Sequence, residues 1–219
     1  MFLLDEDIWF PPTNYSTADG LLAYGGDLSV DRLLLAYRHG IFPWYNPGDS
    51  IMWWAPPQRM VIEPKSYKAP KSLAAFFKRS DFNYTMNEAF EQVIRNCQTV
   101  PRNGQDGTWI TDEIVEAYIK LHQLGLAKSV EVWQNKELVG GLYGVDLGLV
   151  FTGESMFSKV SNASKCAFVW LIQKLEKENY ALLDCQLYNE HLAMLGAFEM
   201  DRDNFNQILD QCSFSVSNK

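Results

Sequence analysis

The sequence predicts an α+β fold in which a small N-terminal module precedes a larger domain with a mixed sheet flanked by helices. Three observations carry this. The first sixty residues are turn-rich and aromatic with one clear helix, three helical segments then precede a run of strands, and a long apolar helix is followed by one more buried strand. The expected units are 1–60 and 61–219.

In the N-terminal unit, Trp9-Phe10-Pro11-Pro12, Gly25-Gly26-Asp27, Phe42-Pro43-Trp44-Tyr45 and Trp53-Trp54-Ala55-Pro56-Pro57 read as short strands and ordered loops. The one helix has Ser29 as N-cap, Asp31 in its first turn, apolar Leu33 to Tyr37, and Gly40 as its stop. Helices follow near 69–78 and 87–96, the second with Asn87 as cap. A third starts at Thr111, with Asp112 and Glu113 complementing its dipole, and ends at Gly125. Strands are expected at 129–133, 138–145 and 148–153, with a turn at Asn135-Lys136. Residues 162–178 form a long helix that is apolar nearly all round in its first half, and 180–186 a buried strand. This order is that of an acyltransferase-type fold.

A chain that is 47% hydrophobic and 14% aromatic has the apolar surface a packed core requires. Its net charge of −8 excludes a protein that coats nucleic acid by bulk electrostatics. The charge is unevenly placed, however. Residues 1–58 carry seven acids and two bases, whereas 59–79 carry Arg59, Lys65, Lys68, Lys71, Lys78 and Arg79 against Glu63 alone. That run reads either as a polyphosphate-binding surface or as a solvated helix face. Cys97, Cys166, Cys185 and Cys212 have no CxxC spacing and read as reduced packing residues of a cytosolic protein. His39, His122 and His191 lack metal-ligand spacing, so no metal and no cofactor are expected. No leader-like N-terminus and no membrane-spanning stretch is evident, and a cytoplasmic monomer is expected.

Three stretches break their local rules. Asp184-Cys185-Gln186 puts a carboxylate and an amide on one face of a buried strand, where Asp184 can orient the Gln186 carbonyl oxygen, or is a structural strand-end carboxylate. Phe151-Thr-Gly-Glu-Ser-Met-Phe-Ser158 ends a strand at Gly153 and continues as a polar loop into a helix capped by Asn162, whose free N–H groups suit an anion or carbonyl; an ordinary connection reads the same way. Glu154, beside the glycine, suits an amine or a ribose hydroxyl. Trp44, Tyr45, Trp53, Trp54 and Trp109 stack on bases or plug the core.

Taken together, Leu21-Leu-Ala-Tyr-Gly-Gly-Asp-Leu-Ser29, Ala36-Tyr-Arg-His-Gly-Ile-Phe-Pro-Trp44, Trp53-Trp54, Thr108-Trp-Ile-Thr111, Leu138-Val-Gly-Gly-Leu-Tyr-Gly144, Gly153-Glu-Ser-Met-Phe-Ser158, Asn162-Ala-Ser-Lys165 and Asp184-Cys-Gln186 resemble the bacterial leucyl/phenylalanyl-tRNA–protein transferase family, collinearly from about residue 10 to 205. The resemblance implies a GNAT-like domain that uses aminoacyl-tRNA as donor. It implies transfer of Leu or Phe, and less readily Met, to proteins beginning with Arg or Lys, which marks them for N-end-rule degradation. By the same resemblance, Trp44 and Trp109 hold the 3′-terminal adenosine. Leu142, Phe151, Met156, Leu171 and Leu183 form the donor side-chain pocket. Glu154, Asp184 and Gln186 serve the reacting ester and amine, and Lys71, Lys78 and Arg79 the acceptor stem. Lys68 and Lys128 stand where the family usually has His, and Leu171 where some relatives have an aromatic.

Two other readings compete. An acetyl-CoA-dependent acetyltransferase of GNAT fold wants a glycine-rich pyrophosphate loop, and Ser158-Lys-Val-Ser-Asn-Ala-Ser-Lys165 contains no glycine. A non-catalytic tRNA-binding adaptor leaves Asp184 and Gln186 without a task.

Overall fold

The structure is a computed structural model that describes residues 1–99 and 108–212. In chain order the strands and helices are β1 (Phe2–Leu4), β2 (Leu21–Gly25), α1 (Val30–Arg38), β3 (Phe42–Pro43), β4 (Met52–Trp54), β5 (Gln58–Ile62), α2 (Lys71–Arg79), β6 (Asn83–Met86), α3 (Phe90–Thr99), α4 (Asp112–Gln123), β7 (Ala127–Gln134), β8 (Glu137–Asp146), β9 (Val150–Ser158), α5 (Ala163–Lys177), β10 (Leu182–Gln186), α6 (Glu190–Met194), β11 (Phe198–Asp201) and α7 (Arg202–Leu209). A four-stranded sheet of order β1-β2-β4-β3 lies within residues 2–54, and a seven-stranded sheet of order β11-β5-β10-β9-β8-β7-β6 begins at β5, which crosses residue 60.

The expected caps of α1 and α4 are present: Ser29 and Thr111 accept the N–H groups of Arg32 and Ile114, and Gly40 and Gly125 follow each helix at positive φ. The turn at Asn135-Lys136 has both residues at positive φ, which matches the twist of the β7–β8 hairpin it joins.

Two helix starts differ from expectation. Asn87 is not the cap of α3: it lies at φ 64, and its Oδ1 accepts the N–H of Ser129 on β7. The buried carboxylate of Glu131 reaches the N–H of Ala89 at the start of that helix instead, and also binds Thr85 and Ser129. Asn162 precedes α5 in the left-handed region with no side-chain bond, and Ser158 Oγ accepts the Ser164 N–H at 2.9 Å.

The large sheet carries helices on both faces. Gly141, Tyr143 and Val145 of β8 face α3 and α4, in an apolar cluster that also includes Leu22, Trp53 and Phe205. Gly140 and Leu142 face α5, whose Cys166, Phe168, Leu171 and Ile172 form the second cluster. β9 and β10 are the sheet's one parallel pair, joined by the α5 crossover that a parallel pair requires. Their ladder runs from Val150–Leu182 to Thr152–Asp184 and stops, while β9 continues against β8 as far as Ser158. The strands therefore part at the end of this short ladder. Gly153–Ser158 is strand, not the loop the sequence suggests, because the β8 ladder satisfies its backbone.

A Cβ at Gly140 would lie 2.5 Å from that of Ala163, so no side chain fits where α5 crosses β8. Gly140→Ala is expected to destabilise the protein by about 2–3 kcal/mol through overpacking, whereas Gly125→Ala, with open space but positive φ, costs about 1 kcal/mol. Urea unfolding of the two variants checks the difference.

Candidate active site

At the end of the β9–β10 ladder lies a buried ion pair. Arg59 from β5 donates through Nε to Asp184 Oδ1 at 2.8 Å and through Nη2 to Oδ2 at 2.7 Å, and its Nη1 donates to the carbonyl of Gly40 at 2.7 Å. The rings of Phe42 and Phe205 flank the guanidinium, 4.8 and 4.7 Å from its central carbon. Asp184 is wholly buried and Arg59 nearly so. Arg59, counted by sequence with the basic run, therefore belongs to the interior. Lys65, Lys68, Lys71, Lys78 and Arg79 are exposed, the last three on α2.

Asp184 does not hold the side chain of Gln186, as strand alternation suggests. A bulge between them carries Gln186 to φ 66, and Asp184 Oδ1 accepts its backbone N–H at 2.8 Å. The Gln186 amide is fixed from β9, because its Nε2 donates to Glu154 Oε1 at 3.0 Å. This turns the amide oxygen away from Glu154.

Glu154 sits at the irregularity of the β8–β9 ladder, which aims its side chain between α1 and α4. Tyr37 donates to Glu154 Oε1 at 2.7 Å and Tyr118 to Oε2 at 3.1 Å, and the two hydroxyl oxygens are in contact with each other. Burial pushes the Glu154 carboxyl up to about 7; the tyrosine hydroxyls lower it, Asp184 raises it and Arg59 lowers it. Burial and the Glu154 charge push both tyrosine hydroxyls well above their ordinary value. Neither Tyr37, which lies in the apolar run of α1, nor Tyr118 of α4 stands out as a site residue in the sequence. The signal available was that a phenol on a buried helix face needs a polar partner.

Two cavities meet at this network. The larger, ≈ 450 Å³, occupies the gap between the parted strands and is lined by Leu142, Met156, Phe168, Leu171, Leu183 and Leu192 together with Glu154 and Gln186. Of the five residues expected in an apolar pocket, Leu142, Met156, Leu171 and Leu183 line it. Phe151 is buried in the same cluster, with its ring against Gly144, and does not line the cavity. The smaller, ≈ 80 Å³, is lined by Phe42, Pro43, Trp44, Trp109 and Leu187, and shares Glu154 and Gln186. Trp53 and Tyr45 are core residues, while Trp54 leans on Trp44 at 5.6 Å and donates to its carbonyl. An apolar chamber and an aromatic cleft thus open onto one carboxyl–amide pair.

This is a mixed α+β fold whose sheet parts at its one parallel pair, with helices on both faces. FemX shares the fold with a TM-score of 0.53 at 10% identity, over 83% of this chain and 71% of that one. The family model described as leucyl/phenylalanyl-tRNA protein transferase matches residues 61–210, and that of its N-terminal domain matches 26–57. The leucyl/phenylalanyl-tRNA–protein transferases of Flavobacterium johnsoniae and Flavobacterium psychrophilum are 56% and 57% identical, each over 95% of this chain and 99% of the relative. The chain belongs to the leucyl/phenylalanyl-tRNA–protein transferase family, and is an aminoacyltransferase. No helix among the described residues is long and apolar enough to cross a membrane.

A carboxyl whose folded value is about 7, above the ordinary 4.5, binds more protons folded than unfolded. Its contribution to stability is therefore full below the ordinary value and is lost as pH rises through about 7. Glu154→Gln does not titrate, so relative to the parent its stability is expected to increase between acid and mildly alkaline pH by up to about 3 kcal/mol. Urea unfolding of both proteins across that range measures it.

Proposed function

We propose that the chain transfers Leu or Phe, and less readily Met, from aminoacyl-tRNA to the N-terminal Arg or Lys of acceptor proteins. It does so as a cytoplasmic monomer and thereby marks them for N-end-rule degradation. The observation that carries this reading is the meeting of the apolar chamber and the aromatic cleft at Glu154 and Gln186. A 3′-terminal adenosine held by Trp44 and Trp109 points its ester toward that pair, and the chamber takes the amino-acid side chain. Phe151 supports the chamber from behind. On α2, Lys71, Lys78 and Arg79 meet phosphates of the acceptor stem. Residues 1–60 act as the module that supplies Trp44, and 61–219 as the transferase domain.

The ester is already activated, so positioning supplies much of the rate. The Gln186 amide oxygen, turned away from Glu154, accepts a hydrogen bond from the incoming α-amine. Asp184 fixes the Gln186 backbone, and the edge of β9 beyond Thr152, which no strand among the described residues covers on its β10 side, offers backbone N–H groups to the oxyanion. One bond forms and one breaks without a covalent enzyme intermediate.

The test is single-turnover transfer of radiolabelled leucine from charged tRNA to a peptide beginning with Arg. The parent protein is expected to form the leucyl peptide. Trp44→Ala and Trp109→Ala should each weaken binding of an aminoacyl-adenosine analogue by about 1–3 kcal/mol. A parent protein that binds charged tRNA and transfers nothing contradicts the proposal.

A further inference from the structure

Three residues are expected to serve the reacting ester and amine, and they differ in what surrounds them. Asp184 is occupied on every side: Oδ1 accepts from Arg59 Nε and the Gln186 N–H, Oδ2 from Arg59 Nη2, and none of it reaches solvent. Gln186 is a neutral amide. Glu154 differs from both, since it lines the two cavities and meets a hydroxyl at each oxygen.

These hydroxyls close a ring, from Glu154 Oε1 to Tyr37, to Tyr118, and back to Glu154 Oε2. It has three oxygen–oxygen contacts. When Glu154 is a carboxylate the ring holds two hydroxyl protons, each tyrosine donates to one carboxylate oxygen, and the tyrosine–tyrosine contact holds none. A proton added to the carboxylate gives one proton to every contact, all running in the same sense around the ring. The two states differ by rotation of hydroxyl hydrogens alone, with no heavy atom displaced.

We propose that Glu154 accepts the proton released by the acceptor's α-ammonium, and that Tyr37 and Tyr118 are positioning residues whose hydroxyls rotate to fit its two protonation states. The proposal rests on the aminoacyl-transfer reading above. The ammonium gives one proton to the Glu154 carboxylate, and the lone pair so freed forms the C–N bond at the ester carbon. The C–O bond to the ribose then breaks, the second nitrogen proton leaves with the ribose oxygen as its hydroxyl, and Glu154 releases its proton to water. The charged and titratable groups packed about Glu154 are Tyr37 from α1, Tyr118 from α4, Asp184 from β10 and Arg59 from β5, with Tyr143 of β8 edge-on to Tyr118 at 5.6 Å, and Cys185 of β10 and His191 of α6 line the same chamber. Burial brings the Glu154 carboxyl to about 7, within about one unit of a free α-amine, so the transfer is nearly balanced.

The test combines single-turnover leucine transfer across the neutral pH range with a carbon-13 titration of labelled glutamate carboxyls on the protein alone, assigned through Glu154→Gln. The parent rate is expected to rise with pH through about 7 and then flatten. Glu154→Gln should be slower by roughly 100-fold and lack that limb. It retains only the limb of the acceptor amine, which moves when a less basic amine is used. Tyr37→Phe and Tyr118→Phe each remove a donor to the carboxylate, so both should shift the limb to higher pH and recover rate there. A merely structural role for the tyrosines lowers the rate equally at every pH. The proposal is overturned by a Glu154→Gln variant with the parental profile, or by a Glu154 carboxyl that titrates in the ordinary range in a protein that transfers leucine. Should a tyrosine variant not fold, those two measurements decide. A parent protein that transfers no leucine at any pH overturns the aminoacyl-transfer reading itself. That failure is seen before any variant is made, and separately from the carboxyl titration.

Discussion

A guanidinium buried between two phenylalanine rings ties the molecule together. Arg59 joins the carboxylate of Asp184 on β10 to the carbonyl of Gly40 just past α1, and so couples the N-terminal segment to the middle of the large sheet. Removing two charges from water costs several kcal/mol per ion, and only full hydrogen bonding on both sides makes such a pair tolerable. Here the remaining bonds do more than satisfy the ions. The Gly40 carbonyl, just past the end of α1, accepts from Arg59, and the Asp184 carboxylate accepts the Gln186 N–H at the bulge on β10. α1 carries Tyr37 and the bulge carries Gln186.

The second constraint is the short parallel ladder. Once β9 and β10 separate beyond Thr152 and Asp184, the sheet has a gap that side chains must line. On the α5 face that lining is apolar, drawn from Leu142, Met156, Leu171 and Leu183. At the split itself it is polar, because Glu154 and Gln186 reach each other across the gap. The Glu154 carboxyl, half-buried here, is raised toward neutrality by desolvation.

Much of this was legible in the sequence. Ser29, Thr111, Gly40 and Gly125 marked two helices through their capping chemistry, and the turn at Asn135-Lys136 placed a hairpin. The order of elements gave the layered architecture, whereas the pocket of Leu142, Phe151, Met156, Leu171 and Leu183 came only from the family resemblance, and Phe151 does not line the cavity. What escaped has a physical reason in each case. Gly153–Ser158 looks like a loop because Glu154 and Ser155 face a cavity at a strand that has lost one neighbour, and local pattern does not record that loss. Arg59 looked like one more cation of a basic run, since its partner lies 125 residues away. The bulge at Gln186 needs a left-handed residue that no glycine announces. Tyr37 and Tyr118, 81 residues apart, meet hydroxyl to hydroxyl only because α1 packs on α4.

The central claim is that Asp184 serves the reaction by holding the Gln186 backbone, not by passing charge to its amide. The most direct measurement is a cycle of Arg59→Gln, Asp184→Asn and the double variant, followed by urea unfolding and single-turnover leucine transfer. Each single change leaves one buried charge without its partner and should cost about 3–5 kcal/mol, with transfer falling as the site loosens. The double variant replaces both ions with amides, and the Asp184→Asn change keeps a side-chain oxygen for the Gln186 N–H. It should regain most of the stability and, with it, most of the transfer rate. A double variant that regains its stability yet transfers no leucine would contradict the claim and show that the charge on Asp184 acts on the reaction itself.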